Sequence, residues 1–176
     1  TKIMKTILRY LCLSVACIGF SITSNAQDLI ESFKNQPNVE TVAVNKKMFQ
    51  MMSNVKMDMN DKENQAYLNL IKKLDDLKLI STKNTTSSGK MKTYVVSYVK
   101  TNSMNELMTL SENGSTTIFY VDPNSTKESI KELLMFVSGN ETIILSLKGS
   151  FSLNELSLVT NKMKLPVGNS LNKMSK

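Results

Sequence analysis

Between Ser129 and Gly149 two apolar runs flank a Gly139-Asn140 pair. The first reads Ile-Lys-Glu-Leu-Leu-Met-Phe-Val-Ser and the second Glu-Thr-Ile-Ile-Leu-Ser-Leu-Lys-Gly. A tight turn between two such runs is the pattern of a β-hairpin. In the second run Ile143, Leu145 and Leu147 share one face, with Ile144, Ser146 and Lys148 on the other. Burying each large apolar side chain is worth roughly 1.5–3 kcal/mol. The hairpin is therefore expected at the middle of a sheet, and the rest of the chain must cover it.

The front of the chain has a different character. Lys2, Lys5 and Arg9 precede a largely apolar run from Leu11 to Ile22, followed by Ser24-Asn25-Ala26. This is the pattern of a secretory signal peptide over residues 1–26, starting at Met4 and cut after Ala26. The apolar run is short of the roughly 20 residues a membrane span needs, so no span is expected after cleavage. Lipid attachment through Cys17 is the rival, but Ser14 stands where a lipobox usually has an aliphatic residue. Cleavage leaves about 150 residues, the usual size of one domain with one core. We read residues 27–165 as that domain and 166–176 as a polar, flexible tail. The expected location is the periplasm or cell envelope.

Removing the leader removes every Arg and Cys, and the whole chain has no His and no Trp. The net charge falls from +7 to +4. Without the guanidinium fork that grips phosphates and reads guanine, and with Lys dispersed, nucleic acid is not an expected partner. Ser-His-Asp and Cys-His catalysis and His- or Cys-built zinc sites are excluded. Carboxylate pairs and Ser-Lys dyads remain, but Asp58, Asp61, Glu63 and Asp75-Asp76 are explained by helix capping, helix breaking and solvated charge. The Asp58 segment also lacks the Gly and distant Glu of a calcium loop.

Taken in order, residues 27–35 suit a short helix with Leu29, Ile30 and Phe33 on one side. Residues 39–44 suit a strand, with Asn45 capping the next helix. That helix carries Met48, Met51, Met52, Val55 and Met59 at helical spacing. Asn60 and Glu63 read as a capping box, and Tyr67, Leu70, Ile71 and Leu74 as the buried face of the helix it opens. Asp75-Asp76 ends that helix before a strand over 77–83, and residues 84–89 read as a polar, mobile loop. Met91, Tyr94, Val95, Tyr98 and Val99 predict a helix. Ser103 and Glu106 predict a second, short one through Leu107 and Met108, closed at Gly114. A strand over 116–121 and a turn at Asp122-Pro123-Asn124 lead to the hairpin. Its first run also has helical spacing behind a Ser125/Glu128 box. We assign a strand, because the Gly139-Asn140 turn and the run after it need a neighbour. Ser152 and Glu155 box the last helix, with Leu153, Leu156, Val159 and Met163 facing the core. The sum is an α+β fold, a mostly antiparallel sheet of about five strands with helices packed on one face.

The run Val42-Ala43-Val44-Asn45-Lys46-Lys47-Met48-Phe49, the Glu106-Leu107-Met108 segment, and Gly149 leading into Ser152-Leu153-Asn154-Glu155-Leu156 carry a resemblance. On these the chain resembles small secreted proteins of Bacteroides-type bacteria grouped as a domain of unknown function. The resemblance covers most of the chain after the leader. It implies an envelope location and a strand at 133–137, and brings no catalytic residue to transfer. Many such relatives look like lipoproteins.

The expected function is a non-catalytic envelope domain that binds an envelope protein or a small apolar ligand, without a cofactor. Met48, Met52, Tyr94 and Tyr98 are its candidate surface. Two alternatives stand beside it. Met48, Met51, Met52, Met57 and Met59 form a thioether-rich run of the kind that selects Cu(I), though Met also fills irregular cores and adaptable surfaces. A hydrolase built on carboxylates or a Ser-Lys pair is the other.

Overall fold

The computed structural model describes residues 28–55 and 60–156. The expected signal peptide, its cleavage site, Cys17, Met57, Asp58, Met59, Val159, Met163 and the C-terminal tail lie outside the described residues.

The elements run α1 (Leu29–Phe33), β1 (Val39–Asn45), α2 (Lys46–Ser53), α3 (Lys62–Lys73), β2 (Leu74–Thr82), α4 (Thr85–Thr101), β3 (Asn105–Glu112), β4 (Ser115–Val121), β5 (Ile130–Ser138) and β6 (Thr142–Phe151). All six strands form one sheet in the order β1-β2-β6-β5-β4-β3, and every neighbouring pair is antiparallel. The β5–β6 hairpin occupies the middle, as its two apolar runs require.

The helices do not lie on one face. Leu133, Met135 and Leu147 belong to a core shared with Phe49, Leu70, Ile71, Leu74, Phe119 and Phe151. Leu134, Phe136 and Ile144 belong to a second core with Leu29, Phe33, Ile80, Met91 and Val95. Side chains alternate along a strand, so α2 and α3 cover one face and α1 and α4 the other. The reason is in the hairpin: both of its faces are apolar, and one helical layer would leave the second in water.

Four local expectations are corrected. Residues 105–112 are strand β3, not a helix; Ser103 sits at φ 51° just after α4, and Asn113 and Gly114, at φ 51° and 77°, make the two-residue turn of a β3–β4 hairpin. This adds the sixth strand. Residues 85–89 are the first turns of α4, not a loop: the Asn84 side chain accepts from the Ser87 N–H at 3.0 Å, and Ser88 bonds Thr142 at 2.6 Å. Asp75 and Asp76 do not separate α3 from β2 but lie within β2, where the pairing with β6 shifts between Leu74 and Asp76. The cap of α3 is Asp61 rather than Asn60, bonding the Glu63 N–H at 2.8 Å.

Other expectations hold. Asn45 caps α2 by accepting from the Met48 N–H at 3.0 Å. Ser152 and Glu155 form a reciprocal box, with bonds of 3.0 and 3.2 Å between each side chain and the other's backbone N–H. The Asp122 turn does more than turn the chain: its carboxylate accepts from the backbone N–H groups of Asn124, Lys131 and Glu132 at 3.1, 2.9 and 3.2 Å, fixing the entry to β5.

Candidate functional site

The four candidate surface residues are not brought together. Met48 and Met52 ride on α2, on one side of the sheet; Tyr94 and Tyr98 ride on α4, on the other. Within α2 the side chains divide by helical spacing. Phe49 is buried and Met52 packs partly against the core beside it. Met48 and Met51 turn outward, 49% and 61% exposed, Val55 just past the end of the helix is 58% exposed, and Val42 on β1 is 50% exposed on the same side of the sheet. Because Met52 turns inward, the thioethers of α2 do not share one surface.

Tyr94 and Tyr98 are half-buried and stacked, ring centroids 5.8 Å apart, with Phe33 of α1 edge-on to Tyr94 at 5.6 Å. Below them lies a polar stripe that the sequence reading did not assemble. Tyr98 Oη donates to Glu132 Oε1 at 2.8 Å, Lys148 Nζ donates to Tyr98 Oη at 3.3 Å, and Ser146 Oγ donates to Glu132 Oε1 at 3.3 Å. Lys148 also lies 3.5 Å from Glu132 Oε2, while Lys78 Nζ is 3.0 Å from Asp28 and 3.3 Å from Asp76. The pattern was available in the strands. Asp76 and Lys78 on β2, Glu132 on β5, and Ser146 and Lys148 on β6 fall on one face by alternation, and the register sets them side by side.

The chemistry of this stripe is that of a clamp. Burial, then the bond to Glu132, pushes the Tyr98 phenol well above its ordinary pKa; burial first, with the carboxylates of Asp28 and Glu132 adding to it, does the same for Tyr94. Both stay neutral donors, unsuited to act as bases at neutral pH. Ser146 donates to a carboxylate rather than to a lysine. The Ser150–Lys131 contact of 3.1 Å is exposed, whereas an activated lysine is a desolvated one. The cavity beside the tyrosines measures about 130 Å³ and is lined by Asp28, Lys78, Ser146 and Lys148 among others. A larger cleft of about 660 Å³ opens where β1 begins and β2 ends, lined by Asn38, Glu40, Thr82, Lys83, Asn84 and Glu141. Among the described residues no three His, Cys, Asp or Glu side chains form a metal-ready group.

The clamp has a pH signature. Burial alone would raise the Asp28 carboxyl, but the bonds from Lys78 and the Ile30 N–H outweigh it, and its pKa lies below the ordinary value. For Lys78 burial would lower the pKa, but the bond to Asp28 and the charge of Asp76 raise it. The Asp28 contribution is therefore present above the ordinary aspartate pKa and lost as pH falls through the depressed one. That of Lys78 is present below the ordinary lysine pKa and lost as pH rises through the raised one. Across the neutral range the pair holds α1 down. Acidification below the ordinary aspartate range is expected to release α1 and change Tyr94 fluorescence, and Asp28→Asn should do so at neutral pH. An Asp28→Asn protein with the wild-type tyrosine signal at neutral pH would contradict this.

These features define an open antiparallel α+β domain in which Asp28, Ser88 and Tyr98 tie helices to the sheet. A family described as Domain of unknown function (DUF4252) matches residues 33–159, and the chain belongs to it. No curated protein and no solved structure matches the chain. Among the described residues no helix is long and apolar enough to cross a membrane.

Proposed function

We propose that the chain is an exported, non-catalytic envelope domain that binds a protein partner through the outward face of α2. The observation that carries this is the stripe Met48, Met51 and Val55, with Val42 on the same side of the sheet. Met is a residue of adaptable binding surfaces, and grouped exposed apolar side chains mark interaction sites. A small apolar ligand fits less well. The cavity at Tyr94 and Tyr98 is about 130 Å³, below the roughly 300 Å³ at which ligand pockets begin. The larger cleft is walled mainly by polar and charged side chains.

The test is capture from envelope fractions by the wild-type protein and by Met51→Glu. Met51 is exposed, so its replacement should move stability by no more than about 0.5 kcal/mol. Retention of the captured protein should fall about ten-fold or more, as when a contact residue is lost. Equal capture by the two proteins, or no reproducible species with the wild type, would remove the reading.

A further inference from the structure

The two edges of the sheet are built differently. The β3 edge carries Glu106 and Glu112 and a register shift between Glu106 and Met108. Charge and bulges are the devices that keep a foreign strand off an edge. The β1 edge has no bulge and a single charge. Its register with β2 is unbroken from Val39↔Thr82 to Asn45↔Asp76, and its seven residues include no Pro, no Lys and one charge, Glu40. No described strand lies on its outer side. An edge of this kind offers its row of backbone N–H and C=O groups to another strand.

We propose that β1 is a homodimerisation edge. Two copies pair antiparallel through β1 about a two-fold axis at Ala43, joining their sheets into one. The sequence of the strand names the occupant. By alternation the side chains on the α2–α3 face are Glu40, Val42 and Val44, and Lys46, one residue past the end of the ladder, opens α2. Pairing centred on Ala43 sets Val42 against Val44 and Glu40 against Lys46 of the second copy, and the symmetry repeats both contacts. Read in opposite directions, charge meets opposite charge and valine meets valine, which is the self-complementarity an isologous interface requires. Centring the axis on Val42 instead would set Glu40 against Val44 and Lys46 against Asn38, and the charge match would be lost. Lys46 pairs with Asp75 at 2.8 Å, but both side chains are more than half exposed and the lysine can turn to Glu40. The half-exposed Val42 is covered in the process.

This goes beyond the partner surface on α2 and does not depend on it: Met51→Glu should leave the dimer intact. The experiment is sedimentation equilibrium across the micromolar range, on protein expressed from the full sequence and purified as the cell leaves it. The wild type is expected to dimerise. Glu40→Lys places like charges together twice and should weaken the dimer about ten-fold or more. The exchange Glu40→Lys with Lys46→Glu restores opposite charges and should return the dissociation constant to within about three-fold of wild type. A wild-type protein that stays monomeric, a dimer indifferent to Glu40→Lys, or a double variant no tighter than the single one would each overturn the proposal.

Discussion

Phe119→Ala is expected to lower the free energy of unfolding by about 3–5 kcal/mol. Phe119 is fully buried in β4, on the face covered by α2 and α3, and its ring stands in the core with Met135 and Leu133. Its strand neighbours are Met108 on β3 and Met135 on β5. Removing the ring forfeits its transfer free energy and opens a cavity that three hydrogen-bonded strands cannot close. A domain of this size has about 5–15 kcal/mol in total, so the variant should sit near the edge of folding. Val96 on α4 is apolar but 62% exposed, and Val96→Ala should change stability by less than about 0.5 kcal/mol. Urea denaturation of both variants makes the comparison. A loss at Phe119 no larger than that at Val96 would show that the core is not where we place it.

Gly149→Ala is expected to cost about 1–3 kcal/mol or more, although it adds one methyl group. Helix α3 passes into β2 without a loop, and its end crosses β6 at Gly149, which pairs with Leu74. A Cβ at this position would overlap the carbonyl oxygen of Lys73 and stand 3.1 Å from the Leu74 Cα. These are backbone atoms, so no rotamer relieves the clash; either the strand or the helix end must move. The displacement would reach the Lys73–Glu155 ion pair, and with it the reciprocal cap at Ser152. Gly89 provides the contrast. A Cβ there meets nothing within 4 Å and lies inside α4, so Gly89→Ala should stabilise by about 0.5–1 kcal/mol. A Gly149→Ala protein as stable as wild type, by the same denaturation measurement, would remove the close approach.

The strands that could be read from the sequence were those whose partners supplied an unambiguous pattern. β5 has helical spacing as well as strand spacing, and what settles it is burial on both faces: Leu133 and Met135 enter one core, Leu134 and Phe136 the other. That continuous apolar run was also the signal for a second helical layer, which the expectation of one covered face passed over. β3 was misread because Ser103 and Glu106 have capping-box spacing, whereas Asn113-Gly114 carried the stronger hairpin signal. The start of α4 was misread because Thr, Ser and Gly favour loops in isolation. The Asn84 cap and the Ser88–Thr142 bond outweigh that preference only once β6 lies beside the helix. The candidate surface was half legible: spacing identified α2 and α4 as amphipathic, but it could not say that they lie on opposite sides of the sheet.

Alone, the order of residues determined the central hairpin, the caps at Asn45 and Ser152, and the absence of imidazole, thiol and guanidinium from residues 27–176. These depend on contacts within a few residues or on composition. Tertiary structure decided which side of α2 is wet, which carboxylates hold Lys78, and that β1 is left at an edge. Each of those depends on which strands become neighbours, and a strand's neighbours are chosen by the burial of the whole sheet, not by any segment of it.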